Sequence, residues 1–159
     1  MVALAYQLFA VLCGWLEAIL YAERAAESFD FNEHGGMLLQ RIAACLLIPL
    51  GVLEYCWLGP WLLAAELVPM ALLFPLSHDE AYNFTRLWLA HKTDASDGRE
   101  HSDAIAWHCA WAEYRYGYQS PTTTARNDFN GQTRTWLAAA GGVALVCIFL
   151  SHFLHLFSF

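Results

Sequence analysis

TWLAAAGGVALVCIFLSHFLHLF, from Thr135 to Phe157, contains no Asp, Glu, Lys or Arg. A helix needs roughly 20 apolar residues to cross a bilayer, and this stretch is long enough. Three more stretches read the same way: Val2 to Ala22, Met37 to Trp57 and Pro60 to Leu76, the third near the lower limit. A soluble domain would have to bury four helices that are apolar all round, and 159 residues are too few to surround them. The expected fold is therefore all-α: one integral membrane domain over 1–159 with four transmembrane helices and a cytoplasmic layer of one or two amphipathic helices.

Charge placement orients this domain. Arg24 falls in the first connection and Arg41 just inside the second helix, while Arg86, Lys92, Arg99, Arg115, Arg126 and Arg134 fall between 77 and 134. Together they are all eight basic residues of the chain, and the ends and the Leu58-Gly59-Pro60 connection have none. The positive-inside rule makes the connection 77–134 cytoplasmic and puts both termini outside. The net charge of −7 leaves no basic stripe to neutralise phosphates, so nucleic acid is not an expected partner. The five cysteines, Cys13, Cys45, Cys56, Cys109 and Cys147, lack C-x-x-C spacing and read as buried thiols. The first apolar run has no basic n-region, and Glu17 stands where a cleavage site would be, so it reads as a retained helix.

Local signals divide the rest. The Gly35-Gly36 pair suits a turn into the second helix, and Pro60 suits the first turn of the third. Ser77 and Glu80 form a capping-box pattern opening a separate helix from about His78 to His91. Phe84, Leu87, Trp88 and His91 recur on it at helical spacing, as for a helix lying on the membrane interface. Trp107, Trp111 and Tyr114 form a stripe on a second helix, about Ser102 to Tyr116, and Tyr116 to Gln132 reads as loop. In the last span, Ala138 with Gly142 and Ala140 with Ala144 would admit a close helix partner, from this chain or from a second copy in a homo-oligomer.

Ionisable residues inside spans are costly and mark pairs or functional sites. Glu17 and Arg41 fall at similar depths near the cytoplasmic end, where a salt bridge is expected between the first two helices. Toward the outside, Glu66, His152 and His155 share a depth with Glu54 just above them. His152 and His155 are at i, i+3, so the group could pass protons or hold a metal; no other cofactor is expected. On the cytoplasmic side His78, Tyr82 and Arg86 recur at i, i+4, i+8 and form one face suited to a phospholipid headgroup. Glu23, Glu27, His34, His78 and Glu80 also fall on that side, but without the paired Glu-x-x-His motifs of a di-iron bundle. H-E-x-x-H, G-x-S-x-G and C-x-x-C-H are absent.

Phe74-Pro75, His78-Asp79, Tyr82 and Arg86, followed by Ser120, Thr122 to Thr124, Ala125 and Arg134, resemble a pattern in small uncharacterised membrane proteins of bacteria and their phages. The resemblance covers about half the chain, with Glu80 where the pattern has Gly, and it implies no activity. With the charge placement it implies a bacterial inner membrane. The expected role is a non-enzymatic accessory or self-associating subunit of a membrane complex, its partners being the bilayer and a membrane protein or second copy on the helix 135–157. The alternatives are a proton- or metal-linked transporter using Glu54, Glu66, His152 and His155, and a membrane enzyme acting on lipid headgroups through His78, Asp79 and Arg86.

Overall fold

The computed structural model describes residues 2–23, 33–92, 102–119 and 129–156, with the side chains of 22, 23, 33–38, 155 and 156 left aside. These residues form five α-helices and no strand: α1 (Val2–Glu23), α2 (Glu33–Leu58), α3 (Pro60–Lys92), α4 (Asp103–Glu113) and α5 (Gly131–Leu156). All but α4 are long and apolar enough to cross a membrane. The all-α class and the four long apolar helices agree with the sequence reading.

α3 is the organising element, since α1, α2, α4 and α5 all pack on it and α1 also meets α2. α1 comes close to α3 at Gly14, where a Cβ would collide with the His78 carbonyl oxygen. Only a residue without a side chain lets the two backbones come that near. At Gly141 of α5 a Cβ would stand 2.8 Å from Leu73 Cγ, so this glycine seats α5 on α3. The neighbouring Gly142 faces open space. Thus one side of the small-residue patch is used within the chain, and the other is open.

Between α2 and α3 the chain reverses at Gly59, whose φ of +84° is a left-handed conformation that glycine adopts without a Cβ penalty. Gly59 N–H donates to the Tyr55 carbonyl at 3.0 Å, closing the end of α2. Pro60 then opens α3, where its missing N–H costs nothing.

Several local expectations are corrected. α2 begins at Glu33, so Gly35 and Gly36 belong to its first turn rather than to a turn before it. The connection 24–32 lies outside the described residues. Ser77 opens no new helix; its hydroxyl donates to Gln7 Oε1 of α1 at 2.8 Å, and α3 continues through Pro75 to Lys92. Contacts with α1 on both sides of Ser77 hold this segment helical: Tyr6 meets Phe74, and Tyr21 meets Tyr82 edge to face. The expected interfacial helix is therefore the last part of α3. Its aromatic stripe covers α4, with the Phe84 ring 4.7 Å from Trp107 and 5.4 Å from Tyr114, and Trp88 6.0 Å from Trp107. Ser102 caps α4 by accepting from Ile105 N–H at 3.5 Å, and Asn130 caps α5 by accepting from Thr133 N–H at 2.8 Å.

Exposed apolar side chains form a stripe of Leu4, Leu8, Val11 and Trp15 on α1 and are densest on α2 and α5. Leu46, Ile48 and Val52 of α2 are uncovered, as are Trp136, Val143, Val146, Phe149, Phe153 and Leu154 of α5. Cys45, Cys56, Cys109 and Cys147 are exposed as well, contrary to the expectation of buried thiols; Cys13 alone is half-covered.

Candidate functional site

The polar interior is divided into three clusters along α3. At one end, Glu54 Oε2 accepts from Val2 N–H at 2.7 Å, and Glu66 Oε2 accepts from Ala3 N–H at 2.6 Å. The first N–H groups of a helix have no intrahelical acceptor, and carboxylates also complement the positive end of the helix dipole. Two buried acids from α2 and α3 thus cap α1. His152 joins Glu54 in lining a recess of about 260 Å³ with Leu50, Leu53, Trp57 and Leu58. The structure therefore brings Glu54, Glu66 and His152 to the same end, while the side chain of His155 lies outside the described residues.

Further along, His78 is held from both sides. Its Nε2 is 3.0 Å from Glu17 Oε2 and its Nδ1 is 3.1 Å from Asp79 Oδ1. The ring also stacks between Phe74, at 4.9 Å and 16°, and Tyr82, at 6.4 Å and 10°. Spacing of four residues on one helix puts the three rings in a row. The expected Glu17–Arg41 salt bridge is not formed; Glu17 pairs with α3 instead. Close packing at Gly14 brings His78 within reach, whereas Arg41 is exposed and borders a recess of about 430 Å³ with Phe9, Cys13, Gln40 and Ala44.

The third cluster joins α3, α4 and α5 at Arg134, which is 0 % exposed. Its Nη1 donates to Glu80 Oε1 at 2.6 Å, its Nε to the Phe129 carbonyl at 2.7 Å and its Nη2 to the Tyr118 carbonyl at 3.3 Å. Asp79 Oδ2 is 4.0 Å from Arg134 Nε. Tyr114 hydroxyl donates to Glu80 Oε2, and Gly117 N–H donates to Glu80 Oε1 at 3.2 Å. Burial, and then the hydrogen bond and charge of Glu80, push the Tyr114 phenol above its ordinary pKa. Glu80 and Arg134 are 54 residues apart, so no spacing rule connects them. From the sequence Arg134 is a topology marker and a member of the resembling pattern, and Glu80 is half of a capping box, a departure from that pattern and one of the acids on the cytoplasmic side.

Of the predicted face His78, Tyr82 and Arg86, the first two serve the α1 contact. Tyr82 is buried beside Ala18. Arg86 differs: its Nε and Nη1 are buried and meet no hydrogen-bond partner among the described residues. Asp103 is in the first turn of α4 and pairs with Lys92 Nζ at 2.8 Å, and His91 Nε2 is 2.9 Å from Glu113 Oε2. Among the described residues no group of three or more His, Cys, Asp or Glu is arranged to hold a metal ion. Glu27 and the side chains of Glu23 and His34 are outside them.

The geometry limits what His78 does. A general base or nucleophile needs a ring nitrogen facing the substrate, and both nitrogens here face carboxylates. That arrangement suits a clamp between α1 and α3. In comparisons with family models, curated proteins and solved structures, nothing matches this chain.

Proposed function

We propose that this chain is a small polytopic membrane protein with a non-enzymatic role, either an accessory subunit of a membrane complex or a self-associating assembly. The observation that supports it is the use of the buried ionisable groups. Glu54 and Glu66 hold the start of α1, Glu17, His78 and Asp79 tie α1 to α3, and Glu80 and Arg134 tie α3 to α5. Each of these clusters joins helices, while open apolar faces lie on α1, α2 and α5. In a bilayer such faces meet lipid or another helix, and the open side of the Ala138–Gly142 patch allows a close helix crossing. In this reading the chain sits in a bacterial inner membrane with both termini outside, and the α3 end, α4 and the start of α5 form the cytoplasmic layer. Mass measurement in mild detergent together with crosslinking in cells tests the role: a defined oligomer or a captured membrane protein is expected, and a monomer with no crosslinked partner contradicts it.

A second reading rests on Glu54, Glu66 and His152 sharing one end of the molecule. It is proton- or metal-linked transport, for which Glu66→Gln should abolish a pH-dependent flux in liposomes. No flux with the unmutated protein excludes it.

A further inference from the structure

Arg41 is the only Lys or Arg of α2, and Glu17, its expected partner on α1, is turned to His78 of α3. Among the described residues no carboxylate pairs with Arg41. Its side chain is exposed and borders the recess of about 430 Å³ between α1 and α2, with Phe9 and Cys13 on one wall and Gln40 and Ala44 on the other. A guanidinium stays charged at any physiological pH, so one placed in a span without an acid calls for another anion.

Depth selects the anion, given the membrane placement proposed above, on which the site rests. α2 ends at Leu58, and Arg41 is about 26 Å back along its axis at roughly 1.5 Å per residue, against a hydrocarbon core of roughly 30 Å. With Leu58 at the outer boundary, Arg41 is rooted just inside the cytoplasmic one, and its long side chain reaches the headgroups. α1 begins beside Glu54, whose carboxylate accepts from Val2 N–H, so Phe9, about 10 Å further along, is near the middle of the core. The recess thus runs from Phe9 in the core, past Cys13 and Ala44, to Gln40 and Arg41 under the headgroups. A lipid of that leaflet presents its groups in the same order, acyl chain in the core and phosphate at the boundary. Free phosphate does not enter hydrocarbon, and a basic recess between helices on the cytoplasmic side suits an anionic headgroup.

We infer that the recess between α1 and α2 binds one anionic phospholipid of the cytoplasmic leaflet, with its phosphate on Arg41 and the first part of an acyl chain against Phe9, Cys13 and Ala44. Arg41 supplies the complementary charge. The apolar walls are the reason that a lipid, rather than a soluble anion, fills the space.

Native mass spectrometry of the full chain in mild detergent tests this with two probes, phosphatidylglycerol and phosphatidylcholine of the same acyl chains. The helical signal in circular dichroism serves as the fold control. Phosphatidylglycerol should be retained in preference, with affinity falling about tenfold in Arg41→Gln and less in Arg41→Lys, which keeps the charge. Ala44→Trp fills the recess from an exposed position and leaves Arg41 in place, so it should lose the lipid too, and it decides the matter if Arg41→Gln does not fold. Arg115→Gln removes another exposed arginine, whose Nη1 donates to the Ala112 and Tyr114 carbonyls, and should bind as the unmutated protein does. Binding unchanged in Arg41→Gln or in Ala44→Trp, or an equal loss in Arg115→Gln, overturns the proposal. If Arg41→Gln instead abolishes crosslinking to a membrane protein while lipid binding is unchanged, Arg41 belongs to a protein acid and the lipid site is again overturned. Alkaline carbonate extraction separates the two readings: a chain that resists it but shows no lipid preference loses the site and keeps the membrane reading, whereas release by carbonate removes both.

Discussion

His78 draws its role from what surrounds it rather than from its own chemistry. Two carboxylates and two rings hold the imidazole, so its removal is felt as stability. His78→Ala should lower the unfolding free energy in mild detergent by about 1.5–3 kcal/mol, the range for a lost hydrogen bond to a charged group. An unchanged unfolding midpoint would contradict the clamp. Tyr114 gives a pH signature. Its folded pKa is raised above the unfolded value of roughly 10, so its contribution is fully present below that pH and is lost as pH rises through the higher folded value. Absorbance titration of phenolate should show one tyrosine ionising late, together with loss of the α3–α4 contact, and Tyr114→Phe should remove that late step. Arg134 and Glu80 show why this level was the least legible in sequence. Both residues are visible, but their pairing depends on a turn through Gly117 and on α5 returning beside α3.

At the scale of elements, hydropathy located the four long helices well because each is apolar over the length a bilayer demands. Where it stopped short was α3. The Ser77-to-Glu80 pattern suggests a boundary, yet tertiary contact with α1 overrides it, and Ser77 donates across to Gln7 instead of capping. The aromatic stripe of Phe84 and Trp88 was likewise visible, but amphipathic periodicity is the same whether the covering surface is lipid or α4. Two adjacent glycines separate internal from external use of α5. Gly141→Val should weaken α5 docking, since its Cβ would press on Leu72 and Leu73, and should lower stability by about 1–3 kcal/mol. Gly142→Val meets open space, so the fold should tolerate it while association through that side is lost. Paired unfolding and crosslinking measurements check this, and equal stability of the two variants would contradict the assignment of faces.

For the whole molecule, alternation of the helices brings the start of α1, the α2–α3 hairpin and His152 of α5 to one end, as the run of apolar stretches implied. The grouping of Glu54, Glu66 and His152 was legible because depth along each helix follows from residue count. Which helices would be neighbours was not, and Glu17 therefore met α3 rather than Arg41. The resulting arrangement centres on α3 and leaves α5 with a long uncovered apolar side. A membrane subunit should present that side to protein. A photo-crosslinking side chain in place of Val143, which is 64 % exposed, reports its neighbour directly in intact membranes. The account predicts an adduct of defined mass with a second copy of the chain or with one membrane protein; adducts with lipid alone would contradict it.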